Sequence, residues 1–423
     1  MSESIHIPQE LVDIVVSNLH DDLPSLKACA LVSHSFLPFS QKGIFACIEV
    51  FTVPPPSRNG HTFQNLFNLL LGSPHISPLI TSLEIYAHDT IPDSVLDQEL
   101  VQIIPILPYM SSVKRFRLSH TCELFDWRYF PPHVQDALVQ YWQTSQIVDF
   151  ELEAIYFIVF EGKSRLRLDQ WGALKRLSLL WCHVHELWSP EGQGSNPPRL
   201  EALKIYAEPD YTEVFGDKLL NPFSCSLDLR SLREFSAVIT SNPRFDQVHA
   251  LLCQISSTLQ RICLDVRIRA PASHFLSEFD YMGLHAFPNL RAIHLILDTP
   301  CDVFPISKLS PSVRNITLEV TYHLDEYAEW AMTEWSTIDS FMESQDLPAL
   351  ESFRLEVHIS TRDSCLPTFC LCDPYEVDLQ AIRQAMPTLY RRGVLDVVVK
   401  TTRTIWTKNW EYYNELRRVG VNR

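Results

Sequence analysis

The sequence predicts an α/β protein: a small all-helical module at the N-terminus, followed by an irregular solenoid of short strands and crossovers. Three observations predict it. The first fifty residues carry apolar positions at helical spacing. From residue 79 onward a six-residue phrase recurs ten times. The last four residues of that phrase alternate apolar and variable, as a half-buried strand does. The boundaries read as 1–50 for the helical module, 51–78 for a linker with one helix, 79–400 for the solenoid and 401–423 for a tail.

Taken in order, the chain opens with Ile7-Pro8, and proline suits the first turn of a helix, where its missing N–H costs nothing. Leu11, Ile14, Val15 and Leu19 form one apolar stripe, and Val12 and Val16 form a second about a quarter-turn or more away. A short helix that is apolar on two faces must bury both. A segment of this size has too little core of its own to do so. One face is therefore expected to meet another chain or another part of this one. Asp21-Asp22 offer side-chain caps for a second helix. Leu26, Cys29, Ala30, Val32 and Phe36 continue the apolar pattern.

At these residues the segment resembles an F-box, the small helical module of cullin-based ubiquitin ligases, and is most similar to the divergent fungal forms. That family opens with Leu-Pro-x-Glu-Leu, and here stands Ile7-Pro8-Gln9-Glu10-Leu11. It continues with Leu-x-x-Cys-x-Leu-Val-Cys-Arg-x-Trp, matched here by Leu26, Cys29, Leu31, Val32, Ser33, His34 and Phe36. Ser33, His34 and Phe36 depart from the pattern while keeping approximate size or polarity. The likeness covers about a ninth of the chain. It implies docking onto a Skp-family adaptor, and through it onto a cullin ligase, by Ile7, Pro8, Leu11, Val12, Val15, Leu26, Leu31, Val32 and Phe36. It also implies that the chain is not an enzyme and needs no cofactor, since other ligase subunits carry the chemistry. An ordinary helical cap is the alternative reading of the same residues, and a scaffold outside any ligase is the alternative function.

Composition narrows the partners. Apolar residues make up 46% and charged residues 20%, a globular balance. A formal charge of −16 disfavours nucleic acid, which requires a basic surface. The start, MSESIHIPQE, lacks the basic and apolar regions of a signal peptide. No apolar run approaches the roughly 18 residues of a membrane span. A cytoplasmic or nuclear setting follows, in which the eleven cysteines stay reduced. Cys29, Cys47 and Cys263 read as small core hydrophobes.

Residues 54–62 form a proline-led break, and Phe63 to Leu71 a short helix. The recurring phrase then begins at Ile80, Val113, Ile147, Leu174, Leu200, Leu232, Leu259, Leu290, Val313 and Leu350, at intervals of 23 to 37 residues. Phrase and spacing resemble leucine-rich repeats, in which each unit is a strand plus a helix or loop and buries its neighbour's face. The Asn or Cys that usually ties the turn is missing at any fixed offset, which predicts irregular stacking. Segments 189–198, 321–347 and 360–376 interrupt the array. A last helix at Leu379 to Met386 and a strand at Val394 to Val399 precede a tail with Trp410, Tyr413 and Leu416 on one side.

Catalytic motifs are few. The one G-x-G, Gly192 and Gly194, runs into Pro197-Pro198 and opens no helix, so no phosphate loop is present. No nucleophile elbow occurs. Cys182-His183-Val184-His185 lacks a second cluster at zinc spacing, and Cys365, Cys370 and Cys372 lack a nearby histidine, so no metal is expected. The Asn315 sequon falls inside a predicted strand and reads as structural. From Glu319 to Glu351 there are nine acids and no Lys or Arg. Leu324, Ala328, Ala331, Trp335, Ile338 and Met342 lie among them at helical spacing, predicting an amphipathic helix with an acidic outer face. The residue after each phrase should point outward, giving Tyr86, Ser119, Glu153, Leu180, Tyr206, Val238, Asp265, Ile296, Glu319 and Glu356. Tyr86, Leu180, Tyr206, Val238 and Ile296 are apolar or aromatic where a solvated strand is polar, which marks them as candidates for binding an unidentified target protein. A core buried under loops is the alternative for that column.

Overall fold

A computed structural model describes residues 8–52, 61–87, 100–120, 125–127, 130–157, 168, 171–184, 197–206, 227–239, 242–266, 284–297, 308–323, 327–345, 347–362 and 379–404. The chain forms two compact units, 1–198 and 199–423.

The first unit begins with α1 (Gln9–Ser17), α2 (Leu23–Val32) and α3 (Leu37–Phe45). Pro8 occupies the N-cap of α1, and the Asp22 carboxylate caps α2 by accepting from the Ser25 N–H at 3.1 Å. Val12, Val16 and Leu26 close a small core, with Leu19, Phe36, Phe39 and Ile44 partly buried against it. Gly43 lets α3 approach closely there, since a Cβ would lie 2.8 Å from Leu26 Cδ1 and would make that side chain shift. The chain then enters β1 (Cys47–Phe51), α4 (Phe63–Gly72), β2 (Ser82–Ala87), β3 (Arg115–His120), β4 (Phe125–Asp126), α5 (Pro132–Thr144), β5 (Asp149–Glu153), β6 (Ile155–Phe157), β7 (Arg176–Leu180) and β8 (His183–Val184). Strands β1, β2, β3, β5 and β7 pair in that order, all parallel. A second, three-stranded parallel sheet is made by β4, β6 and β8. Ala154 and Trp181 have φ of 54° and 56°, and these left-handed residues turn the chain from β5 into β6 and from β7 into β8.

The second unit holds β9 (Ala202–Tyr206), β10 (Glu234–Ile239), α6 (Asn242–Ile255), β11 (Arg261–Val266), β12 (Ala292–Leu297), β13 (Asn315–His323), α7 (Tyr327–Ser344), β14 (Ser352–Arg362), α8 (Leu379–Ala385), α9 (Pro387–Arg391) and β15 (Leu395–Thr404). Its seven strands also pair in sequence order and in parallel.

The expected fold class is corrected by these strands. An all-helical N-terminal module followed by an irregular leucine-rich-repeat-like solenoid does not form. Twelve strands in sequence order build all-parallel sheet structure, five in the first unit and seven in the second, which makes the chain an α/β protein. The N-terminal segment is not all-helical, because Cys47–Phe51 is itself a strand paired with β2, Cys47 opposite Ser82. Nor is the stacking irregular. The third residue of each phrase pairs with the third of the next: Ser82, Arg115, Asp149 and Arg176 in one unit, Ala202, Glu234, Arg261, Ala292, Asn315 and Ser352 in the other.

The backbone supplies the regularity that a missing Asn or Cys was expected to remove. Within each unit, wherever one phrase follows another, the second residue's carbonyl accepts two N–H groups of the next phrase. Thr81 O accepts from Lys114 at 2.8 Å and Arg115 at 3.0 Å, and Gln260 O accepts from Arg291 at 2.8 Å and Ala292 at 3.1 Å. Crossovers of different length absorb the variable spacing outside this ladder. All thirty apolar positions of the ten phrases are buried, none more than 6% exposed.

Candidate functional site

The α1 and α2 surface divides the predicted docking residues. Val12 and Val16 turn inward, whereas Leu11, Ile14 and Val15 stand 54–57% exposed. Leu31 and Val32 at the end of α2 are 88% and 71% exposed. The side-chain amide of Gln9 donates to the Ser35 carbonyl at 2.9 Å, tying the first turn of α1 to the residues just past Val32. Pro8 is exposed at the same end. Val12 and Leu26 are corrected from docking residues to core, because the three helices bury them against one another. Phe36 is half-buried on that core. Ile7 lies outside the described residues.

The sheet in each unit presents a second face, built from the fifth residue of each phrase and the residue just after it. In the first unit it centres on Arg117. The guanidinium lies 3.5 Å from Glu84, 3.0 Å from Glu151 and 3.0 Å from Glu153, and 5.5 Å from the centre of the Tyr86 ring. Ser119 donates to Glu153 at 2.7 Å and Tyr86 to Glu84 at 2.9 Å. Tyr86 also stacks on Phe51, with ring centres 4.9 Å apart. One cation shared by three carboxylates offsets part of the desolvation cost of this layer, which runs to several kcal/mol per ion.

In the second unit the same face carries a chain of hydrogen-bonding groups. Tyr206 Oη lies 3.8 Å from Cys263 Sγ, Cys263 Sγ lies 3.6 Å from His294 Nδ1, and His294 Nε2 lies 3.4 Å from Glu319 Oε2. Burial alone would raise the Cys263 thiol and lower His294. The pair interacts more strongly than burial opposes it, so the thiol is held below its ordinary value and the imidazole is pushed up to about 10. Tyr206 is pushed well above the ordinary tyrosine range, first by burial and then by Cys263. Further along, His358 Nε2 lies 3.3 Å from Glu319 Oε1, and Lys400 and Arg354 lie 2.7 and 2.6 Å from the two oxygens of Glu356.

Glu319, Glu356 and His358 place three possible metal-ligating atoms within 4.8 Å of one another. Lys400 and Arg354 already neutralise Glu356, and two imidazoles face Glu319, so we read the group as a charge network and assign it no metal. The reading of Cys182, His183 and His185 is met only partly by the described residues: Cys182 is buried, His183 lies in β8, and His185 falls outside them, as do Cys365, Cys370, Cys372, Gly192 and Gly194.

None of the five predicted target-binding residues is exposed. Val238 is buried at 2% and is corrected to interior. Tyr86, Leu180, Tyr206 and Ile296 are half-buried, because side chains on strands about 4.8 Å apart cover one another. Cys29, Cys47 and Cys263 are likewise corrected. Cys47 is exposed and the other two are half-buried, and Cys263 sits on the polar face rather than in the core. Arg117, Cys263, His294 and Glu319 were missed as a site. The signal was present in the phrase's fifth column, which runs Glu84, Arg117, Glu151, Ser178, Lys204, Ser236, Cys263, His294, Thr317, Arg354: it is polar throughout and opens on opposite charges side by side, as a paired face does.

No family model matches the chain, and a search of curated proteins finds no match. Among the described residues no helix is long and apolar enough to cross a membrane.

Proposed function

We propose that the chain is a non-catalytic adaptor whose N-terminal helices dock a Skp-family protein and thereby join a cullin ubiquitin ligase, in the cytoplasm or nucleus. The observation that carries the reading is the outward apolar stripe Leu11, Ile14 and Val15 of α1, with Leu31 and Val32 more exposed still at the end of α2. Large apolar side chains left outside in this way mark an interaction site. The helices need none of these side chains for their own core, which Val12, Val16 and Leu26 supply. The F-box likeness names the partner, and the sheet-bearing remainder would present a target protein to the ligase.

The test is copurification of the full chain with a Skp-family adaptor, alongside a Leu11→Ser, Val15→Ser double variant. The parent should retain the adaptor and the variant should lose it at unchanged thermal stability. Failure of the parent to retain the adaptor overturns the reading.

A further inference from the structure

We infer that Cys263 is a modification site: a nucleophilic thiolate, paired with His294 and backed by Glu319, that captures small hydroperoxides. The inference goes beyond the adaptor reading and stands or falls without it.

Register brings the three groups together. Strands β11, β12 and β13 are neighbours, with Cys263 opposite His294 and His294 opposite Thr317. Glu319 is two residues beyond Thr317 and so shares its face. The resulting order is nucleophile, base and orienting carboxylate, at 3.6 and 3.4 Å. Accessibility follows the same order. Cys263 is half-buried and the His294 side chain is 35% exposed, whereas the Glu319 side chain is 6% exposed. Glu319 thus lies on the inner side of the imidazole, with Nε2 3.4 Å from the carboxylate and Nδ1 3.6 Å from sulfur.

A structural cysteine would occupy a different place. The fourth and sixth positions of each phrase face the apolar core, and Cys263 stands at the fifth. The other charged or titratable groups that face this pair among the described residues are Tyr206 of β9, Asp265 of β11 and His358 of β14. Asp265 opposes the thiolate, and the imidazolium outweighs it. Two other thiols supply internal contrast. Burial pushes Cys182 up to about 12; the Cys47 residue is exposed, but its sulfur is turned in 3.7 Å from the Glu84 carboxylate, and desolvation there together with that charge pushes it up to about 11, so neither ionises at neutral pH.

The chemistry balances without any further reagent. The thiolate attacks one oxygen of the hydroperoxide, an S–O bond forms and the O–O bond breaks. His294 gives its proton to the departing hydroxide, which leaves as water when the oxidant is hydrogen peroxide. Sulfur is oxidised by two electrons to a sulfenic acid, and the peroxide oxygen is reduced.

The experiment uses the purified full chain, hydrogen peroxide as oxidant with a sulfenic-acid trap, and iodoacetamide as a second probe, with each cysteine peptide quantified by mass spectrometry. N-acetylcysteine amide, added to the same solution, is the reference thiol. At pH 6 Cys263 should react about tenfold or more faster than this free thiol, because an ordinary thiol is under one per cent ionised there. Its alkylation rate should change little from pH 6 to 8, while that of the free thiol rises about tenfold per unit. His294→Gln should slow Cys263 at pH 6 by about tenfold and restore a rising pH profile. Glu319→Gln should slow it less. Reaction of Cys263 no faster than the free thiol at pH 6 overturns the proposal, as does an unchanged rate in His294→Gln. The pH profile of the parent chain decides the matter by itself if either variant misfolds.

Discussion

Asp339 of α7 caps Thr388 at the start of α9. Its two carboxylate oxygens accept the Thr388 N–H at 2.9 and 3.1 Å, and one of them also accepts the Leu389 N–H at 2.9 Å. Asp339 is 4% exposed, so these amides have no water to turn to. Asp339→Ala should therefore destabilise the chain by about 1–3 kcal/mol, the cost of buried donors left unpaired. Urea denaturation monitored by circular dichroism measures it. A variant as stable as the parent would show that α9 is capped by other means.

A contrast within α1 separates core from surface. Val12→Ala or Leu26→Ala should cost about 1–4 kcal/mol, because each opens a cavity between the three helices. Leu11→Ser with Val15→Ser should leave the melting temperature within about 2 °C, since exposed apolar side chains contribute little to folding. Equal losses from both sets would mean that the outward stripe is covered within the chain itself, and the docking proposal would lose its carrying observation.

The repeating strands were legible because three apolar residues per phrase recur at fixed offsets, and a parallel sheet with one apolar face needs just that pattern. In the large sheets one strand escaped and another was read too short. The sequence from Cys47 to Phe51 offers only a short alternation and follows helices directly, so it was absorbed into the helical module. At the other end, Val394 to Val399 showed, but the strand runs from Leu395 to Thr404, through polar residues that reveal no period. The acidic helix was legible from Trp335, Ile338 and Met342, all buried at 7% exposure or less. The acids of the Glu319 to Glu351 stretch were not all solvated as expected. Asp339 and Glu319 turned out to be buried, because partners for a carboxylate lie on other strands and helices that a linear pattern does not reveal. The same holds for Cys263, His294 and Glu319, whose association depends on strand register across gaps of about 30 residues.

An aromatic cluster carries much of the first unit's core. The Trp142 ring on α5 lies 5.4 Å from Phe116, 5.2 Å from Phe150, 5.7 Å from Trp127 and 6.2 Å from Trp171. Strands β3 and β5 thus share one side chain with the crossover helix between them. Trp142→Ala should cost about 3–5 kcal/mol, at the upper end for a single substitution. Trp142→Phe should cost less, because it keeps an edge for the two phenylalanines. Equal effects from the two substitutions would show that the ring and volume a phenylalanine keeps contribute nothing, and that the loss comes from the indole alone.

The charge network at the end of the second unit makes a prediction about acid. The Glu356 carboxyl is held well below the usual carboxylate range, chiefly by the His358 imidazole and then by the Lys400 ammonium and the Arg354 guanidinium, with burial opposing all three. A carboxyl whose folded value is depressed stabilises the fold above its unfolded value, near 4.3, and loses that contribution as pH falls toward the folded value. At pH 7 the contribution is therefore complete. Glu356→Gln removes it and leaves Lys400 and Arg354, which are 25% and 19% exposed, without their shared anion. Breaking one partner out of such a pair costs about 3 kcal/mol when the others stay buried. The stability gap between parent and Glu356→Gln, measured by urea denaturation, should be largest from pH 6 to 8 and should narrow below about pH 4.3, where the unfolded parent takes up a proton that the folded carboxyl does not. Arg354 also lies 3.8 Å from Asp396, so part of its charge stays compensated in the variant and the gap should be smaller than for a pair with no third member. Lys400→Met should show the same narrowing in acid, since it weakens the interaction that holds Glu356 ionised. A gap that stays constant from pH 7 to pH 3.5 in both variants would mean that the side chains matter for shape and packing, and that their charges do not.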